Sequence, residues 1–468
     1  MHLYFIGICG TAMGNGALLL RALGHEVSGS DDSIYPPMSL LLEEQGINIL
    51  PGYRASNIDG ANPDVVIIGN AMSRGNEEVE TVLDRRIPFT SLPELLKREV
   101  IQGKNSIVVT GTHGKSTTSS LMAWTLESAG RNPSFLIGGV PENFHQGYQA
   151  RPESEFVVLE GDEYDTAFFD KRSKFFHYLP TTLIVNNIEF DHADIFASID
   201  EIKLAFKRVT NLVPRNGIVI ANGDDPNVTE IVRGSHAPVV TFGITDNANF
   251  RAIDIQYTDH SSIFKVKAIG HAEAQLEIPM LGEFNVRNAL AVTAAALHHG
   301  LDFAEIQQAF STFKSIKRRM EMKGEFGGVI VYDDFAHHPT AIRETLRALR
   351  QRYPDTRVIA IFEPRSNTTR RNIFQRELAE CFVDADVVFI SQIARLNLLA
   401  EDERLDPDQV IQDILDTGKD AYYLPDASAI AERVGEIAEQ GDVVIVMSNG
   451  SFGGIHDLLK NKLCSREL

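Results

Sequence analysis

Ile107-Val-Val-Thr-Gly111-Thr112-His113-Gly114-Lys115-Ser116-Thr117-Thr118 decides how the chain reads. A β-branched apolar run passes into glycines, a lysine and hydroxyls, and a helix-compatible stretch comes next. Glycines let backbone N–H groups approach phosphate oxygens, a lysine neutralises outer phosphates, and a hydroxyl can ligate Mg²⁺. The full pattern G-x-x-x-x-G-K-[ST] wants glycine where Val109 stands, so this is a shortened loop. Taken alone it is also compatible with a Gly-rich strand-to-helix turn and a solvated lysine.

The surroundings favour the phosphate reading. Thr117–Ala129 has helical length and ends at Gly130. Downstream, Phe156-Val-Val-Leu-Glu160 and Thr182-Leu-Ile-Val-Asn186 read as buried strands. Their ends carry Glu160-Gly-Asp162-Glu163-Tyr-Asp165 and Ile188-Glu189-Phe-Asp191-His192-Ala-Asp194. Ligands of open α/β sheets collect at such ends. Each acidic cluster read singly is a solvated loop; beside Lys115 and Ser116 both become oxygen donors for Mg²⁺, with His192 a nitrogen donor or a structural histidine. Gly217–Ala221 adds a strand, and 238–280 alternates in short β-like runs that suggest an antiparallel extension. Asn285 and Asn288 stand one turn apart at the start of an apolar helix through Leu297, where they cap it or touch a ligand.

Upstream, Leu3-Tyr-Phe-Ile-Gly7 is a buried strand followed by Gly10, Thr11 and Gly14, a helical run over Ala17–Leu23, and a second strand leading to Asp31. Strand, Gly-rich turn, helix, strand, acid is a nucleotide-binding order, although Cys9 replaces the second glycine of G-x-G-x-x-G. Beyond the basic run Lys317-Arg318-Arg319, four buried strands follow at 329–332, 358–362, 387–390 and 443–447. Their ends carry Asp333-Asp334-Phe-Ala-His337-His338-Pro339, Glu363-Pro-Arg365-Ser-Asn367, and Ser448-Asn449-Gly.

The fold class is therefore α/β, with three domains each built on a mostly parallel sheet: Rossmann-like at 1–102, P-loop ATPase-like at 103–314, Rossmann-like again at 315–468. A length of 468 residues suits three domains at roughly 150 residues apiece. The net charge of −20 argues against a nucleic-acid partner. Cys9, Cys381 and Cys464 give neither a disulfide framework nor a zinc pattern. With no signal-like start and no apolar run of membrane-spanning length, a cytoplasmic protein without a membrane partner is expected.

Taken together, Gly111-Thr-His-Gly-Lys-Ser-Thr-Thr, Glu160-Gly-Asp-Glu-Tyr-Asp, Asn186-Asn-Ile-Glu-Phe-Asp-His192, Asn285-Val-Arg-Asn288-Ala, Arg318-Arg319 and Asp333-Asp-Phe-Ala-His-His-Pro resemble the Mur ligase family over the whole chain. The resemblance implies three-domain, ATP- and Mg²⁺-dependent amide-bond formation in peptidoglycan synthesis. The loop histidine and the His-His-Pro segment point to the branch that takes UDP-N-acetylmuramate. Tyr35-Pro-Pro-Met-Ser, Glu363-Pro-Arg-Ser-Asn-Thr and Ser448-Asn-Gly-Ser-Phe-Gly-Gly-Ile-His456 resemble members that add the murein tripeptide L-alanyl-γ-D-glutamyl-meso-diaminopimelate during recycling. The alternative within the branch adds free L-alanine. Outside it stand an NAD-dependent oxidoreductase and a non-catalytic nucleotide-binding regulator.

The resemblance also implies roles. ATP would meet Gly111, Thr112, His113, Gly114, Lys115, Ser116 and Thr117, with Asn288 at adenine, Arg319 at phosphate and Asp334 at ribose. Ser116, Glu160 and His192 would hold metal, and Lys115, Glu160, His192 and Arg319 would carry catalysis through an acyl phosphate. Gly7, Gly10, Thr11, Gly14 and Asp31 would face UDP, while Arg365, Ser448 and Asn449 would face the peptide. No carbamylated lysine is expected, because Leu204-Ala-Phe206 stands at the matching helix and Lys203 and Lys207 are offset. The sequence leaves the oligomeric state unknown.

Overall fold

A computed structural model describes residues 1–394 and 396–465. Its strands form three large sheets and one small hairpin, Asp165–Ala167 with Asp170–Ser173. The first sheet runs, in spatial order, Asn48–Pro51, Glu26–Asp31, His2–Ile6, Val65–Ile68, Phe89–Thr90, all parallel. Chain order reverses between His2–Ile6 and Val65–Ile68, so a crevice opens at their carboxyl ends, where Gly7 and Gly69 leave the sheet.

The second sheet has ten strands. Asn105–Thr110 lies near its middle, between Thr182–Val185 and Phe156–Glu160. The apolar β-branched runs form this parallel centre because both faces are covered by helices. Lys115–Ser128 and Glu283–His298 pack together over one face. The expected antiparallel extension over 238–280 is only partly met. Val239–Gly243 and Phe250–Tyr257 continue the parallel set, and antiparallel pairing begins with Ser262–Ala268 and Ala274–Ile278. The turn at 258–261 is short enough for a hairpin, whereas the earlier links cross over.

The third sheet runs Glu321–Phe326, Val329–Asp334, Val443–Met447, Val358–Phe362, Val387–Ser391, Asp420–Leu424. Its first strand is antiparallel and the rest are parallel. Residues of the first and second sheets share one apolar cluster, which includes Leu19, Leu92, Leu136 and Phe175. The third sheet is flanked by its own two clusters, drawn from 320–463. Among the described residues no helix is long and apolar enough to cross a membrane.

Candidate active site

Three carboxyl-terminal strand ends of the second sheet bring the central groups together. After Thr110 the chain turns through Gly111 and Gly114, with φ of +138° and +79°, and enters a helix at Lys115. A Cβ on Gly114 would lie 2.8 Å from Asn288 Oδ1, so glycine serves both the left-handed backbone and the close approach. Asn187 clamps the turn: its Oδ1 accepts from the His113 N–H at 2.7 Å and its backbone oxygen from the Thr112 N–H at 3.1 Å.

Lys115 Nζ donates to Gly111 O at 2.6 Å and to Glu163 Oε1 at 3.0 Å. His192 Nε2 donates to the same Glu163 oxygen at 2.9 Å. Burial works against Lys115 and Glu163 alike, yet each other's charge prevails: Lys115 is held above the ordinary lysine range and Glu163 below the carboxylate range. His192 is raised for the same reason, Glu163 outweighing burial. Glu160 belongs to a separate arm, taking the Ser116 hydroxyl at 2.8 Å and the Gly138 N–H at 2.7 Å. Glu160 and His192, both expected at metal, have different partners here: Glu160 takes Ser116 and Gly138, and His192 takes Glu163.

A cavity of about 910 Å³ opens over this loop. Of the expected ATP residues, His113, Gly114, Thr117, Asn288, Arg319 and Asp334 line it, so the second and third sheets form opposite walls. Asn288 is buried and its amide nitrogen donates to Asn285 Oδ1 at 3.2 Å. Arg319 lies over the Phe335 ring at 5.4 Å. Asp334 accepts the Met320 N–H at 2.8 Å and the Ala336 N–H at 2.7 Å, and burial still raises its pKa.

The expected UDP residues form a different crevice. Gly7 has φ of +84°, Gly10 precedes the helix Thr11–Ala22, and Gly14 faces Met38. Asp31 braces this turn, accepting the Cys9 N–H and the Ser33 N–H, both at 2.8 Å. Asn15, on that helix, donates to Ile137 O at 3.2 Å, and the next residue is the Gly138 that holds Glu160. The first sheet's glycine turn is thereby tied to the carboxylate arm of the phosphate loop.

The expected peptide residues sit at the third sheet's strand ends. Ser448 donates its hydroxyl to Glu363 Oε2, and its backbone oxygen accepts from Arg318 Nη2 at 2.7 Å. Arg365 is half exposed beside Gly450, and the buried Asn449 Oδ1 has no hydrogen-bond partner among the described residues. Glu163, Asn187 and Glu189 carry more of the geometry than the sequence reading assigned them. Their signal was position, since each stands just beyond a strand end already marked as acidic or amidic. Lys203, next to Leu204-Ala-Phe206, pairs with Glu230.

Comparison with known proteins agrees with this arrangement. Residues 2–102 match the Mur ligase family catalytic domain, 109–296 the Mur ligase middle domain, and 318–450 the Mur ligase glutamate ligase domain. The chain is 44% identical to a UDP-N-acetylmuramate–L-alanyl-γ-D-glutamyl-meso-2,6-diaminoheptandioate ligase of Escherichia coli K12, over 100% of this chain and 99% of that one. It is 34% identical to a UDP-N-acetylmuramate–L-alanine ligase of Geotalea uraniireducens, over 98% of each. The crystal structure of a murein peptide ligase from Psychrobacter arcticus 273-4 superposes with a TM-score of 0.75 at 37% identity, covering 100% of both chains. With three family domains matched in order and 44% identity sustained from end to end, the chain belongs to the Mur ligase family of ATP-dependent amide ligases.

Proposed function

We propose that the chain joins UDP-N-acetylmuramate to L-alanyl-γ-D-glutamyl-meso-diaminopimelate, using ATP, as a step of cytoplasmic peptidoglycan recycling. The observation that carries this is the 44% identity across the whole chain to a ligase so named, against 34% to an alanine-adding ligase. In this reading residues 1–102 hold the UDP-sugar, 103–314 hold ATP, and 315–468 bring the tripeptide and close the nucleotide site.

An amide does not form from a free carboxylate and an amine in water, so the carboxylate must be activated. The sugar's carboxylate takes the γ-phosphoryl group of ATP to give an acyl phosphate and ADP, and the tripeptide amine then attacks the acyl carbon, displacing phosphate and losing a proton as the amide forms. The protein's part is alignment and charge neutralisation. Lys115 exchanges its Gly111 and Thr112 carbonyls for phosphate oxygens, while Glu163 keeps the ammonium charged and aimed. Gly114, Lys115, Ser116 and Thr117 offer N–H groups at the helix start, and Arg319 meets phosphate from the opposite wall. Asn288 meets adenine and Asp334 the ribose hydroxyls. Ser116 Oγ and Glu160 Oε1, in contact at 2.8 Å, are oxygen donors that suit Mg²⁺, and His192, bonded to Glu163, is the nitrogen donor assigned to the same metal chemistry. Bound there, Mg²⁺ would supply countercharge to the phosphates. Gly7, Gly10, Thr11 and Gly14 receive the UDP diphosphate, with Asp31 fixing their turn. Arg365 pairs with a peptide carboxylate beside Ser448 and Asn449.

The test is phosphate release with ATP, Mg²⁺ and UDP-N-acetylmuramate, adding either tripeptide or L-alanine. Turnover with tripeptide is expected. Turnover with alanine alone would move the chain to the alanine-adding reaction.

A further inference from the structure

Beside the phosphate loop, three side chains from two sheets converge on one point. His113 belongs to the loop and Glu189 to the end of the strand Thr182–Val185, while His338 precedes the helix Pro339–Arg352 of the C-terminal third. Glu189 Oε2 lies 3.1 Å from His113 Nε2 and 3.5 Å from His338 Nδ1. One donor atom from each residue fits within a 4.8 Å span.

The hydrogen bonds fix the chemistry of His338. Its Nε2 faces the Phe190 carbonyl at 3.2 Å, which only accepts, so Nε2 carries the proton. Its Nδ1 faces the Thr340 N–H at 3.2 Å, which only donates, so Nδ1 is bare. A bare imidazole nitrogen therefore confronts a carboxylate oxygen: two acceptors meet, and a cation between them resolves the repulsion. A ring oriented by a backbone carbonyl at one nitrogen, with the other presented to a carboxylate, is the arrangement of a metal-ligating histidine. The separations fit too. Zn²⁺ with legs of about 2.0–2.1 Å sets tetrahedral ligands roughly 3.3 Å apart, between the two observed values.

We propose that His113, Glu189 and His338 form a site for a divalent cation of the zinc class, separate from the oxygen-donor site at Ser116 and Glu160. Two imidazoles and one carboxylate favour Zn²⁺, Co²⁺ or Ni²⁺ over Mg²⁺, and leave a fourth position to water. The first two ligands are braced: the His113 N–H by Asn187 Oδ1 and the Glu189 N–H by Thr112 Oγ1 at 2.9 Å. His338 exchanges its long bond to the Thr340 N–H for the metal. An ion enters through a second cavity of about 300 Å³, lined by Glu189, Phe190, His338 and Phe374, which shares Glu189, Asn227 and Thr340 with the nucleotide cavity. Once bound, it ties the phosphate loop to the C-terminal third and slows their separation.

Co²⁺ titration of the full chain, without nucleotide and in excess Mg²⁺, tests the site. Four-coordinate Co²⁺ gives strong visible d–d absorption that octahedral Co²⁺ does not. Absorption saturating at one ion per chain is expected for the wild type and for Glu160→Gln. Losing a metal's outer-shell partner typically weakens binding 10–100-fold, so His338→Gln, which removes a ligand, is expected to weaken Co²⁺ by at least about tenfold and abolish the band. His113→Gln serves as a second ligand variant from the opposite wall. A wild type without the band overturns the proposal, as does a band that survives both histidine changes or disappears in Glu160→Gln. No substrate takes part, so failure here leaves the ligase reading intact.

Discussion

Glu163 sets the charge balance of the phosphate loop. It is almost fully buried, and Lys115 and His192 converge on one of its oxygens. Removing one partner of a buried pair costs more than replacing both, because the survivor is stranded in a low dielectric. Lys115→Ala is therefore expected to abolish phosphate release and to lower unfolding stability by roughly 3 kcal/mol. Adding Glu163→Gln should restore part of the stability and none of the activity. Urea denaturation and a phosphate assay on the same preparations separate the two effects. Histidines buried as neutral rings leave a second signature. Burial lowers His299 and His338 to about 4 from the ordinary 6.5. Between those values the unfolded chain binds more protons than the folded one, so stability is complete above about pH 6.5 and falls as pH drops toward 4. Urea midpoints measured across that window in chelator should show the slope, and His299→Gln or His338→Gln should flatten it.

At the scale of elements, the loop-to-helix junction carries the tightest constraint. Alanine at Gly114 is strained at φ of +79° and drives its Cβ against Asn288 Oδ1 and Asn186 Nδ2. Gly114→Ala should raise the KM for ATP at least about tenfold with the far-UV spectrum unchanged, since only the turn and the two amides must shift. A normal KM would mean that nucleotide does not approach this turn. The same junction shows why much of the architecture was legible in the sequence. Residues 107–110, Phe156–Glu160, Thr182–Val185 and Val443–Met447 are apolar on both faces, and only parallel strands under helices accommodate that. The edges were less legible. Glu321–Phe326 carries no strand signal in the sequence because an exposed edge strand needs little apolar alternation. Tyr148–Gln149 and Ser134–Leu136 are too short to leave a period. The helix Thr11–Ala22 starts earlier than its apolar run because Gly14 and Gly16 hide its first turns while admitting Met38 and Leu92. In the site, motif positions gave the residues, but pairing across sheets, such as Glu163 with His192 or His338 with Glu189, depends on how strand ends converge. No local pattern encodes that.

The whole molecule has two unlike seams. Between the first and second sheets an apolar cluster is continuous, and His177, held by Asp170 at 2.9 Å on its own side, adds a bond across the seam to Glu94 at 2.8 Å. Between the second and third sheets polar contacts recur: Thr368 Oγ1 donates to Asp191 Oδ1 at 2.7 Å, His338 donates to Phe190 O, and Arg352 Nη2 donates to His260 Nδ1 at 2.9 Å. Polar interfaces inside a chain are the ones that open. The connector supports this, with φ of +67° at Ser315, +62° at Arg318 and +50° at Met320, left-handed values that non-glycine residues hold only when the surroundings enforce them. It is pinned on one side by Lys317 N–H to Val140 O and on the other by Phe335 N–H to Arg318 O. Closure of the C-terminal third should therefore depend on the Thr368–Asp191 bond, buried on both sides. Thr368→Val leaves the Asp191 carboxylate short of a donor only in the closed form, at a cost of about 1–3 kcal/mol. Since 1.4 kcal/mol is a factor of ten, the closed population and turnover should fall about tenfold or more. Hydrogen exchange in the presence of a non-hydrolysable ATP analogue should rise at 363–374 and 186–196 relative to wild type, and stay unchanged at 92–101 in the apolar seam. Equal exchange in variant and wild type at all three segments would place the moving seam elsewhere.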